Sequence, residues 1–164
     1  MISIEKINQM EKAEFVSTVG WVFEHSAWVA EKAWESQPVQ SKEELLQTMI
    51  NIVQNAGEPL QIALLRAHPD LGTRLKMSEI SKEEQAGVGL DRLSEEEYTE
   101  FQGLNQKYVE KFDFPFIMAV KGQNKETILT AMKQRVHNTY EEEFDIALLE
   151  VFKIASFRLH DFIC

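Results

Sequence analysis

Residues 140–162 read YEEEFDIALLEVFKIASFRLHDF. Phe144, Leu148, Val151, Ala155, position 158 and Phe162 recur in alternating steps of four and three. That spacing lays one apolar stripe along a helix of more than six turns. No glycine or proline interrupts it. Position 158, however, is an arginine. A guanidinium on an inward stripe is costly unless a carboxylate or a bound anion meets it. Arg158 therefore has two readings: a clamp for an anionic ligand, or an internal salt bridge to a glutamate across the bundle, with snorkelling to water as a variant of the second.

The same periodicity extends outward. Ser41-Lys42-Glu43-Glu44 has capping-box spacing, and Leu45, Met49, Ile52/Val53 and Ala56 come next on one face up to Gly57. Pro59 suits a helical first turn, and the helix it opens should end near His68, because a residue before proline is pushed out of the α region. Glu11 to Val19 predicts a further helix after a short turn at Ile4 and Ile7, and Ser26 is a candidate N-cap for the segment carrying Trp28 and Trp34. Ser94-Glu95-Glu96-Glu97 repeats the capping box ahead of an aromatic stripe, Tyr98, Phe101, Leu104, Tyr108 and Phe112. Phe114 to Val120 breaks the helical pattern and reads as extended. Lys125 to Val136 completes the set. The expectation is an all-α, single-domain bundle of about seven or eight helices over 1–164, with a long active-site loop near 69–93, where turn signals gather at Pro69-Asp70, Gly72, Gly87 and Gly89.

Composition narrows the function classes. The 164 residues suit one core. Seventeen basic against twenty-seven acidic residues give a net charge of −10, which repels nucleic-acid phosphates and anionic membranes. No apolar run is long enough for a transmembrane helix, and the N-terminus lacks signal-peptide order, so a cytoplasmic protein is expected. The lone Cys164 excludes an internal disulfide and a thiolate metal cage. His25, His137 and His160 form no metal-binding spacing, so no metal is expected. Phosphate-cradling and dinucleotide glycine motifs are also missing, so neither is a nucleotide cofactor.

Two segments carry chemistry. His68, in Ala67-His68-Pro69-Asp70-Leu71-Gly72, stands on a rigid turn at a helix end, where an imidazole can serve as general acid or base or can simply cap the helix C-terminus. In Ser81-Lys82-Glu83-Glu84-Gln85, Glu84 could orient His68 while Ser81 and Gln85 donate to a polar ligand. Ser81 and Glu84 also stand at capping-box spacing, and the two roles are compatible.

In order and spacing these segments resemble the 2-oxo-4-hydroxy-4-carboxy-5-ureidoimidazoline (OHCU) decarboxylase family. The likeness runs through Phe23-Glu24-His25-Ser26, Ala67 to Gly72, Ser81-x-x-Glu84-Gln85, Phe114-Pro115-Phe116-Ile117, Arg135-x-x-Asn138 and Lys153-Ile154-Ala155-x-x-Arg158-Leu159. It departs at Ala27, where proline is common, at Val88, where alanine is, and at Asp113, where glycine is frequent. The resemblance implies cofactor-independent decarboxylation of an anionic ureidoimidazoline to (S)-allantoin in urate breakdown. It further implies His68 and Glu84 as catalytic residues, and Pro69, Ser81, Gln85, Arg158 and the backbone at Phe116 and Ile117 as substrate contacts. It also implies a homodimer, and fusion or functional pairing with urate oxidase. From the residues alone the alternative is a non-catalytic helical interaction domain, with His68 a cap, Glu84 a capping-box residue and Arg158 a structural ion pair.

Overall fold

The structure, a computed structural model, describes residues 1–69, 71 and 93–164. Among these it contains eight α-helices and no strand: α1 Ile4–Asn8, α2 Lys12–Val19, α3 Trp28–Trp34, α4 Lys42–Gln54, α5 Glu58–Ala67, α6 Glu95–Phe112, α7 Lys125–Arg135 and α8 Tyr140–Phe162. A 3₁₀ turn, Gly20–Val22, comes directly after α2. None of the described helices is long and apolar enough to cross a membrane. The described residues group into two compact units, residues 1–67 with 152–164, and residues 68–151.

In the first unit α3 packs against α2 and α4, and α5 against α4. The face expected of α4 is the one buried, with Leu45, Met49 and Val53 fully enclosed. Its cap differs from the expected box in one respect. Ser41 Oγ accepts from the Glu44 amide, but the Glu44 carboxylate turns to the amide of Gln40, one residue before the cap. Ser26 does not cap α3 with its side chain. The N-cap is Ala27, and Ser26 contributes its carbonyl to the Val29 amide while its side chain is buried. The last residues are tied to the first, since Ile2 N donates to Phe162 O and Cys164 N to Ile2 O, both at 3.0 Å.

The second unit is organised by aromatic rings. Helix α6 opens on a complete capping box, with Glu97 N to Ser94 Oγ and Ser94 N to Glu97 Oε1 both at 3.1 Å. It buries Phe101, Asn105, Tyr108 and Phe112 at steps of four, three and four. Asp113 then ends the helix in the left-handed region, φ 61° and ψ 27°. This explains why glycine is frequent there in the resembling family: the position needs positive φ, which a short polar side chain tolerates better than most. Phe114, Phe116 and Ile117 lie in the non-helical segment beyond it and are almost fully buried. The Tyr108 ring lies 4.6 Å from Phe112, 5.9 Å from Phe114 and 5.3 Å from Phe116, centroid to centroid. Such close, mostly edge-on packing leaves the chain at 114–117 little room to shift.

Candidate active site

Helix α5 ends at Ala67, so His68 begins the turn that Pro69 enforces, as the sequence predicts. The imidazole is half-buried, and its Nδ1 lies 3.2 Å from the Pro69 carbonyl oxygen. A carbonyl can only accept, so that contact favours the tautomer with its proton on Nδ1 and the basic lone pair on Nε2. The turn is anchored from α6. Asn105, itself buried, donates from Nδ2 to the carbonyl of Leu71 at 2.6 Å. Asn105 had a detectable signal, a polar residue on the aromatic stripe between Phe101 and Tyr108.

Phe116 and Ile117 belong to the same unit as His68 and Pro69, and beneath them sits a buried polar cluster. Glu143, at 0 % exposure, accepts from Tyr108 Oη at 2.6 Å, from Arg135 Nε at 2.7 Å and from Asn138 Nδ2 at 2.9 Å. Arg135 Nη2 approaches the same carboxylate at 2.7 Å. Its Nη1 donates to the Ile117 carbonyl at 2.7 Å, and its guanidinium carbon lies 4.3 Å from the centre of the Phe116 ring. The Arg135-x-x-Asn138 pattern is visible in the sequence. Glu143 is not, because the third of three glutamates opening a helix reads as a solvated dipole partner.

Burial, reinforced by the Glu143 carboxylate, pushes the Tyr108 hydroxyl well above its ordinary value, with Arg135 opposing more weakly. An unfolded chain would release that proton near pH 10 while the folded one retains it, so the stability Tyr108 contributes is present below pH 10 and declines as pH rises beyond. In an ultraviolet titration the Tyr108 hydroxyl should therefore ionise only together with alkaline unfolding. Reversible ionisation of Tyr108 in the folded protein would contradict the cluster.

Arg158 lies in the first unit and is 3 % exposed. Its Nη2 meets Glu24 Oε1 at 3.2 Å, and its Nη1 donates to the carbonyls of Val22 and Trp21 at 3.3 and 3.5 Å. Glu24, also buried, is followed by His25 with φ 55°, so a left-handed residue accompanies the partner carboxylate. An internal ion pair for Arg158 is thus present, although a guanidinium has five donors and can serve a ligand as well. Ser81, Glu84 and Gln85 lie outside the described residues, as does most of the expected loop near 69–93.

A family model described as OHCU decarboxylase matches residues 8–160. A 2-oxo-4-hydroxy-4-carboxy-5-ureidoimidazoline decarboxylase of Halalkalicoccus jeotgali is 49% identical over 160 residues, covering 98% of this chain and 91% of its own. A uric acid degradation bifunctional protein of Bacillus sp. (strain TB-90) is 42% identical over 161 residues, where the match covers 98% of this chain but 32% of the larger protein. Among solved structures, an (S)-allantoin synthase superposes with a TM-score of 0.82 at 32% identity, covering 99% of this chain and 54% of that one. The chain belongs to the OHCU decarboxylase family.

Proposed function

We propose that this protein converts OHCU to (S)-allantoin by decarboxylation without a metal or organic cofactor, acting as one domain. The family match across residues 8–160, with His68 on its proline-stiffened turn, is the observation that carries this reading. The substrate supplies its own electron sink. As the C–C bond to the carboxylate breaks, its electron pair forms a double bond within the ring and the adjacent C=N takes up a proton on nitrogen. CO2 departs and an enol remains. Loss of the hydroxyl proton and protonation of the neighbouring carbon then yield the product, and the face that is protonated sets its configuration. His68 transfers the protons through Nε2, with Glu84 orienting the ring, and Pro69 packs beside the substrate. Ser81, Gln85, Arg158 and the backbone at Phe116 and Ile117 hold the substrate's anionic and carbonyl groups.

(S)-allantoin should form from freshly oxidised urate faster with the protein than without it, and equally fast with a chelator present. A rate and a racemic product indistinguishable from spontaneous decay would overturn the reading. Arg158 is tested together with its partner, because removing either charge alone strands the other in a buried place. In Arg158→Gln/Glu24→Gln, loss of the clamp should weaken substrate affinity about tenfold or more, equivalent to about 1.4 kcal/mol. Unchanged KM in the folded double variant would leave Arg158 a structural role in place of the clamp. The same reading carries a homodimer in the cytoplasm and functional pairing with urate oxidase. Analytical ultracentrifugation checks the first, and a single monomeric species would contradict it.

A further inference from the structure

Arg135 joins the buried Glu143 carboxylate to the main chain at Ile117. One edge of its guanidinium is engaged by Glu143, while Nη1 reaches the main-chain carbonyl of Ile117 at 2.7 Å. The Phe116 ring lies against its face. Glu143 is in turn held by Tyr108 and Asn138, so the orientation of the guanidinium is set from several sides. All of these residues lie within 68–151, the unit that also holds His68.

The bond to Ile117 has a consequence on the far side of the peptide. Among the described residues the sole cis peptide is Gln37-Pro38, so the Ile117–Met118 peptide is trans and its N–H points opposite to its C=O. With the carbonyl turned to Arg135, the Met118 N–H is directed away from the buried cluster. Among the described residues that amide has no hydrogen-bond partner. A cation on the carbonyl oxygen also withdraws electron density along the peptide, which makes the N–H a stronger donor.

We propose that Arg135 is a positioning residue, which orients and polarises the Ile117–Met118 peptide so that the Met118 N–H is held as a fixed donor for a carbonyl or carboxylate oxygen of the substrate. The role rests on the proposed decarboxylase function, in which the Phe116–Ile117 backbone borders the substrate. It assigns to Glu143, Tyr108 and Asn138 the task of keeping Arg135 in place.

The test is Arg135→Lys. A lysine keeps the charge but has no planar fork, so it cannot hold Glu143 and the Ile117 carbonyl in the same fixed geometry. The expected result is a fall of about 10- to 100-fold in kcat/KM, expressed mainly in KM and in weaker binding of (S)-allantoin. The Met118 amide proton resonance of the ligand-free protein should move upfield. Ile128→Val, a buried change on α7, serves as the control for stability and should move neither quantity. Should Arg135→Lys not fold, Tyr108→Phe keeps the ring and removes one bond to Glu143. It should shift both readouts in the same direction, with about a fivefold loss in kcat/KM. Folded variants with unchanged KM and an unchanged Met118 resonance, alongside an active wild-type protein, would overturn the role of Arg135 and leave the decarboxylase reading standing. A wild-type protein that forms no (S)-allantoin would overturn the reading itself, and with it the substrate side of the proposal.

Discussion

His68→Asn should lower enzymatic (S)-allantoin formation by about 10²- to 10⁴-fold, the range that a single general acid–base group supplies, while leaving the helical circular dichroism unchanged. Asparagine is the informative replacement. Its amide can still donate to the Pro69 carbonyl that lies 3.2 Å from Nδ1, so the turn keeps its local bond, but it cannot take up and return a proton near neutral pH. The side chain is half-buried and comes after the last residue of α5 rather than sitting inside a helix, which keeps the cost to stability small. The assay needs freshly made substrate and subtraction of the uncatalysed rate, because the compound also decays unaided. Near-normal turnover in a folded His68→Asn would end the proton-transfer role and return His68 to capping the helix.

The placement of His68, not its role, was readable from local pattern, because the constraints that set it are local while the same position also suits a helix cap. Pro69 stops α5, and the histidine is displayed on the turn between them. The bounds of α8 were legible for the same reason, as was the Ser94 capping box, where both predicted bonds form. Long-range pairing was not. Arg158 stood out as a charge on an apolar stripe, yet nothing near it in sequence identified Glu24, 134 residues away, as its partner. Glu143 failed in the opposite sense. Its neighbours Glu141 and Glu142 are exposed and suit a solvated helix start, and only the packing of α6 and α7 in the same unit turns the third glutamate inward to meet Tyr108 and Arg135. Local periodicity therefore located the histidine and the suspicious arginine, while the acids that hold the arginines required tertiary structure. Even the Ser41 motif illustrates this, since Glu44 reaches one residue beyond the expected cap.

Glu143→Ala should be strongly destabilising, costing about 3–5 kcal/mol, the range for breaking a buried ion pair by removing one partner. The carboxylate is completely enclosed and accepts from three side chains. Its loss leaves the Arg135 guanidinium, the Tyr108 hydroxyl and the Asn138 amide facing a small cavity. Set against a typical domain stability of about 5–15 kcal/mol, the change should lower Tm by about 6–20 °C. By contrast, removing Glu100 from its surface pair with Lys133, whose side chains are 42% and 56% exposed, should be barely measurable, because exposed pairs contribute little. Most of the Glu143 penalty comes from the stranded charge rather than from the bond. Arg135→Met/Glu143→Leu should thus be more stable than Glu143→Ala despite carrying two substitutions. If the double variant is instead the less stable of the two, the pair stabilises the fold by more than its desolvation costs. Activity then separates the two roles: recovered stability without recovered kcat/KM would mean that the ion pair is kept for the Ile117–Met118 peptide it orients, not for the fold.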